Sequence, residues 1–242
     1  MKILGFKINK EKHFVNVVCN ILLVLINVGV AVVSVYTPVS SMAYLVNDDV
    51  YYTGNQNSNK VSFIINVYWG TEYVEPILKV LKDNNVKVSF FVGGMWVGDN
   101  IDLLKQIKSD GHEIGNHGYY HKDHAKLSLE QNKEEISSCH NIVKTAIGTE
   151  MTLFTPPSGS YSKTTLSCAK SLGYKTIMWS KDTIDWRDKN SDLVVARATK
   201  DIKGGDLILM HPTEHTLRAL PTIINYYTQH NLQLVTVSQN IV

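Results

Sequence analysis

Residues 112 to 124 read His112-Glu113-Ile114-Gly115-Asn116-His117-Gly118-Tyr119-Tyr120-His121-Lys122-Asp123-His124, and this stretch holds four of the nine histidines of the 242-residue chain. A short apolar run, Glu113 to Asn116, reads as a strand that ends at His117, and Gly118 permits a tight turn directly after it. His117 and His121 then stand at i, i+4 where a strand ends, so both imidazoles can converge on one ion. Taken alone, a His-x-x-x-His pair is more often two surface or core histidines than a metal site. The rest of the chain has to decide.

Outward from that stretch, short β-branched runs alternate with longer amphipathic ones. The strands expected are Val61–Val67, Lys87–Val92, Glu113–Asn116, Thr152–Phe154, Tyr174–Ser180, Asp206–Met210 and Leu232–Val237. Helices are expected over Tyr73–Asn84, Ile101–Ser109, Leu129–Ile147, Lys163–Leu172, Leu193–Ile202 and Leu217–His230. Ser128, three residues before Gln131, is a capping-box signature for the long Leu129–Ile147 helix. Such alternation implies a mainly parallel α/β sheet covered by helices, in the form of an incomplete β/α barrel; a flat doubly wound sheet is the alternative. In both, polar residues that directly follow strands gather at one rim, the usual place for chemistry.

Composition excludes intrinsic disorder, collagen and a small cystine scaffold, since 44% of the residues are hydrophobic and only three are cysteine. The net charge of +2 is unevenly placed: Lys2, Lys7, Lys10 and Lys12 against Glu11 lie ahead of position 37, and the remainder carries 20 basic and 21 acidic residues. The folded part has no basic footprint for nucleic acid. Residues 1–13 read as a cytoplasmic basic segment. Residues 14–36 are 23 residues without a charge, long enough as a helix to cross a bilayer, so one transmembrane or signal helix precedes the barrel. Retained, it anchors the protein with its domain outside the cytoplasm; Ser41 and Ala43 also suit cleavage near Ala43, which would make the protein secreted. Residues 37–60 read as a polar linker and 61–242 as the domain. Cys139 and Cys168 form a disulfide in an oxidising exterior or stay as two buried thiols; the sequence leaves both open.

Further motifs sit where strands end: Pro156-Pro157-Ser158-Gly159-Ser160-Tyr161, Asp182-Thr183-Ile184-Asp185-Trp186, and Met210-His211-Pro212-Thr213-Glu214. In order and content, residues 61 to 242 resemble the polysaccharide deacetylases, which share the chitooligosaccharide-deacetylase homology domain. With Trp69-Gly70-Thr71-Glu72 included, they are most similar to that family's sporulation-associated branch. The resemblance implies a distorted (β/α)7 barrel and hydrolytic removal of acetyl groups from glycans such as peptidoglycan. It implies a divalent ion, zinc foremost, on His117 and His121, with His211 as the general acid and Asp182 or Asp185 supporting that acid. Pro157 and Tyr161, with Trp69, Trp179 and Trp186, are the candidates to contact the sugar.

The first motif departs from the family's Thr-Phe-Asp-Asp-Gly. Here the strand end reads Ile64-Ile65-Asn66-Val67-Tyr68, with Asn66 at the base position and Val67 at the metal-ligand position. Asn66 has no proton-accepting carboxylate, and Val67 cannot bind an ion, so the metal is weakly held or absent. Thr155 stands where the family has an Arg that holds the base; an Arg kept beside a neutral Asn would be a buried charge without its partner. Two expectations follow: a deacetylase of N-acetylated wall or spore-envelope glycan with weakened metal-assisted chemistry, or a non-catalytic glycan-binding module on the same fold.

Overall fold

The computed structural model describes residues 18–25, 27 and 50–242. The expected basic segment 1–13, most of the apolar segment 14–36 and residues 37–49 of the expected linker lie outside them. Residues 18–25 are helical, and among the described residues no helix is long and apolar enough to cross a membrane. The chain divides into two units at residues 47 and 48, and the second is the domain described below.

Its central strand is Lys60–Val67, the sequence Lys-Val-Ser-Phe-Ile-Ile-Asn-Val, buried along nearly its whole length. The period of two separates its side chains. Val61, Phe63, Ile65 and Val67 face a core shared with helix residues such as Val74, Ile77, Leu104 and Ile136. Ile64 faces the opposite side, where Phe91, Leu153, Ile177, Leu207 and Leu209 pack strand against strand. Asn66 alternates onto that inner side.

Numbered along the chain, the strands are β1 (Val50–Tyr51), β2 (Lys60–Val67), β3 (Ser89–Val92), β4 (Glu113–Asn116), β5 (Leu153–Phe154), β6 (Lys175–Ile177), β7 (Lys181–Asp182), β8 (Leu207–Met210) and β9 (Gln233–Leu234). The spatial order is β1-β6-β5-β4-β3-β2-β8-β7, with β9 beside β2. Every ladder is parallel. Strands β2 to β6 advance one place at a time in one direction, and the opposite face closes on itself. That arrangement is a curled half-barrel, not the doubly wound sheet, whose strand order reverses at a switch point.

The helices are α1 (Thr71–Asp83), α2 (Gly94–Asp99), α3 (Ile101–Ser109), α4 (Leu129–Ile147), α5 (Lys163–Ser171), α6 (Ser191–Thr199), α7 (Glu214–Gln229) and α8 (Val237–Asn240). Pro76, in the second turn of α1, leaves the Glu72 carbonyl without its intrahelical donor. The capping box expected at Ser128 is present, with Gln131 N donating to Ser128 Oγ at 3.2 Å and Ser128 N donating to Gln131 Oε1 at 2.9 Å.

Three local expectations change. The end of the expected linker belongs to the domain: β1 pairs with β6, and Gly54 N donates to Gly205 O at 2.6 Å. A polar composition concealed this because backbone groups make the contacts. Leu232–Val237 is a two-residue strand followed by the short helix α8. Gly93-Gly94 opens α2, a helix that no periodicity along the chain announces; a β-carbon on Gly94 would lie 2.2 Å from the Tyr119 ring.

Candidate active site

At the C-terminal ends of these strands lies a groove of about 500 Å³, lined by Tyr68, Trp69, His117, His121, Ser158, Trp179, Asp182, Trp186, Leu209 and His211. Its volume suits a sugar-sized ligand. Seven of the residues singled out from the sequence for site roles, His117, His121, Asp182, His211, Trp69, Trp179 and Trp186, come together here.

β4 places the first histidine. The Asn116 side chain donates to Ile136 O at 2.8 Å and to Tyr174 Oη at 3.1 Å, and accepts from Gly118 N at 2.9 Å. These bonds fix the turn, and Gly118 takes φ 72° within it. His117 Nδ1 lies 2.7 Å from Thr155 O. A carbonyl only accepts, so Nδ1 carries the proton and the Nε2 lone pair is free. That Nε2 is buried and has no hydrogen-bond partner. Burial foremost, then the neighbouring His121, holds the His117 pKa well below the ordinary value, so the ring stays neutral.

His121 adopts φ 56°, a left-handed backbone that is uncommon for a non-glycine residue. Glu135 holds the loop in place. This buried carboxylate accepts from Tyr119 N at 3.0 Å and Tyr120 N at 2.8 Å, and pairs with Lys122 at 3.2 Å. Sequence reasoning missed Glu135, since nothing in a helix pattern marks one carboxylate among several as turned inward. The His117 and His121 ring centroids are 5.1 Å apart. Two imidazoles on one tetrahedral zinc, each nitrogen roughly 2.0–2.1 Å from it, have centroids about 5 Å apart. The pair fits a divalent ion as two of its donors.

The remaining donors do not follow the family pattern. Val67 is fully buried in the helix-facing core, so its place on β2 offers no ligand. Among the described residues no group of three or more His, Cys, Asp or Glu is arranged to hold a metal. Asn66 is buried, and its Oδ1 has no partner. Thr155 Oγ1 is likewise buried and unpaired, so this side of the groove floor holds two uncharged polar groups without partners. Tyr68, at the glycine position of the motif, was not foreseen. Its ring stacks on His121 at 3.6 Å and 22°, and lies 5.8 Å from His117.

On the other side of the groove His211 is held by a buried carboxylate. His211 Nδ1 lies 2.9 Å from Asp185 Oδ1, while Asp185 Oδ2 accepts from His211 N at 2.6 Å and Thr216 Oγ1 at 2.5 Å. The sequence left open which aspartate stands beside His211. Asp185 does, buried beneath the ring, in a turn tight enough to put Ile184 at φ 53°. Asp182 instead faces the groove, where burial foremost raises its pKa. Trp69 lies nearly parallel to His211, with centroids 6.0 Å apart.

Two expected sugar contacts are not in the lining. Pro157 is buried beneath the turn, which presents Ser158 instead. Tyr161 turns away, its hydroxyl 2.7 Å from that of Tyr52. Cys139 and Cys168 are both free thiols, which removes the disulfide alternative.

The family model described as polysaccharide deacetylase matches residues 41–177, more than half of the chain. The chain belongs to the polysaccharide deacetylase family. Among its relatives is a peptidoglycan-N-acetylglucosamine deacetylase of Bacillus cereus, a hydrolase of a carbon–nitrogen bond, 31% identical over 69% of this chain and 81% of its own length. An uncharacterised protein of Bacillus subtilis strain 168, YlxY, is 37% identical over 85% of this chain and 65% of its own length. The chain spans just under two thirds of the first curated relatives it matches, 62–65% of each. Among solved structures, BA3943, a CE4 family pseudoenzyme from Bacillus anthracis, aligns with TM-score 0.78 and 33% identity over 80% of this chain and 69% of that one. A BA3943 mutant with restored enzymatic activity aligns equally well, at TM-score 0.78 and 32% identity over 80% and 71% of the two chains.

Proposed function

We propose that this polysaccharide deacetylase homologue binds an N-acetylated wall or spore-envelope glycan outside the cytoplasm, anchored through residues 14–36 or secreted, and hydrolyses its acetamide slowly. The observation that carries this reading is the buried Asp185–His211–Thr216 arrangement opening onto the same groove as the neutral His117–His121 pair. A groove used only for binding has little need of an oriented acid.

His117 and His121 would hold a divalent ion, zinc by the character of the donors, with the orphaned Asn66 Oδ1 as the candidate third protein donor. When bound, such an ion polarises an acetamide carbonyl and lowers the pKa of a water. The chain's own residues do the rest. With Nδ1 held by Asp185, His211 has Nε2 to present to the departing amine as proton donor. Trp69, Trp179 and Trp186 offer apolar faces for a sugar ring, and Asp182 offers an acceptor for its hydroxyls. No carboxylate at position 66 takes the water's proton, so His211 has to serve both as base and as acid, which slows turnover.

A second reading, binding without hydrolysis, is favoured by Val67 lying in the core and by the Tyr68 ring on His121. One experiment separates them: acetate release from N-acetylated chitin and peptidoglycan oligomers, with affinity for the same oligomers measured alongside. Release that His211→Gln abolishes supports hydrolysis. Affinity without release supports the second reading, and absence of both refutes the glycan assignment.

A further inference from the structure

Tyr68 and Trp69 are consecutive residues, and each carries a ring to one of the two histidine centres. Trp69 faces the supported acid His211. Tyr68 faces the other centre, in direct contact with His121 and within 5.8 Å of His117. Those distances and the 5.1 Å between the two imidazoles form a closed triangle of rings. An ion held by both imidazole nitrogens would lie about 2 Å beyond each ring and need its other ligands on an open flank. One flank is the Tyr68 ring. Gly93 leaves room for Tyr68, since a β-carbon there would stand only 3.2 Å from Tyr68 Cβ.

We propose that Tyr68 is a positioning residue that caps the His117–His121 pair, lowering its affinity for divalent ions and turning that end of the groove into an aromatic surface continuous with Trp69. The ring acts sterically, by occupying space that water or substrate oxygen needs around the ion, and its hydroxyl is not a ligand. Weak metal binding in this chain then has two separable causes: the lack, among the described residues, of a third His, Cys, Asp or Glu donor beside the pair and the flank closed by Tyr68. This inference rests on reading His117 and His121 as the metal pair, and its test addresses that reading separately.

The test is zinc and cobalt affinity by calorimetry and chelator competition, on the wild type, Tyr68→Phe, Tyr68→Ala and the double variant Tyr68→Ala/His117→Ala. Melting curves confirm that each is folded; Tyr68 is 37% exposed, so the substitutions are tolerable. Tyr68→Ala is expected to bind zinc about tenfold or more tightly, on the scale of changes around metal ligands. Tyr68→Phe is expected to match the wild type, and the added His117→Ala to abolish the gain. An unchanged affinity in Tyr68→Ala overturns the cap. Loss of metal in Tyr68→Phe overturns it differently, by making the phenol a ligand. A gain that survives His117→Ala refutes the metal pair itself, whatever glycan binding shows.

Discussion

Val67→Asp would place a carboxylate at the end of the central strand, and the structure predicts that it damages the protein first. Val67 has no exposed surface and packs in the helix-facing core. Removing its buried side chain forfeits about 1.5–2 kcal/mol of apolar burial. A carboxyl group placed there without a partner is driven to its neutral form, and holding it so at pH 7 against an unfolded pKa of about 3.9 costs up to roughly 4 kcal/mol. After partial relaxation the expected loss is about 4–6 kcal/mol, a large part of the roughly 5–15 kcal/mol that holds a domain folded. The sign of the pH dependence is set by the direction of the shift. A carboxyl whose folded pKa is raised weakens the fold as pH climbs above its unfolded pKa, so the penalty shrinks by about 2–3 kcal/mol between pH 7 and pH 5. Urea unfolding of wild type, Val67→Ala and Val67→Asp at both pH values, with metal chelated, measures it. Val67→Ala should cost about 2 kcal/mol independently of pH. A Val67→Asp penalty below about 1 kcal/mol, or one equal at the two pH values, would show that the side chain at 67 does not enter the core. A zinc-dependent rise in its unfolding midpoint would refute the placement as well, by showing the new carboxylate reaching His117 and His121.

Asp185→Ala strands the buried His211 N–H and Thr216 hydroxyl, and is expected to cost about 3–5 kcal/mol by thermal or urea unfolding; Asp185→Asn should cost less but shift the His211 proton to Nε2, read from ring nitrogen chemical shifts. His112 accepts from Val88 N at 3.2 Å and is buried; burial foremost lowers its pKa to about 4. Its neutral form therefore stabilises the fold above pH 6.5, and up to about 3 kcal/mol is lost as pH falls from 6.5 to 4; an NMR titration placing His112 near 6.5 would contradict this. Burial pushes the Cys139 thiol up to about 12, so Ellman's reagent should leave Cys139 unlabelled in the folded protein and react with it after unfolding.

The histidine pair, His211 and the strand that ends at His117 were legible as parts of one groove because each lies on a local pattern: a strand end, a glycine turn, a motif of adjacent residues. The β/α alternation was legible for the same reason, since apolar periodicity is written along the chain. β1 was not, because Val50 and Tyr51 become a strand only through backbone pairing with residues far along the chain. Nor was Glu135, one acidic residue among several on α4, whose role comes from facing the His121 loop.

The sequence by itself determined the family and the uncharged side chains at Asn66, Val67 and Thr155, because side-chain chemistry is a property of the residue. Only the tertiary structure decided which aspartate holds His211, that Pro157 and Tyr161 leave the groove, and that Tyr68 lies over His121. Those depend on which way a side chain leaves a turn and what it then meets across the sheet. The strand's period of two sends Val67 into the core, the left-handed turn at Ile184 swings Asp185 under His211, and no neighbour in the sequence records either direction.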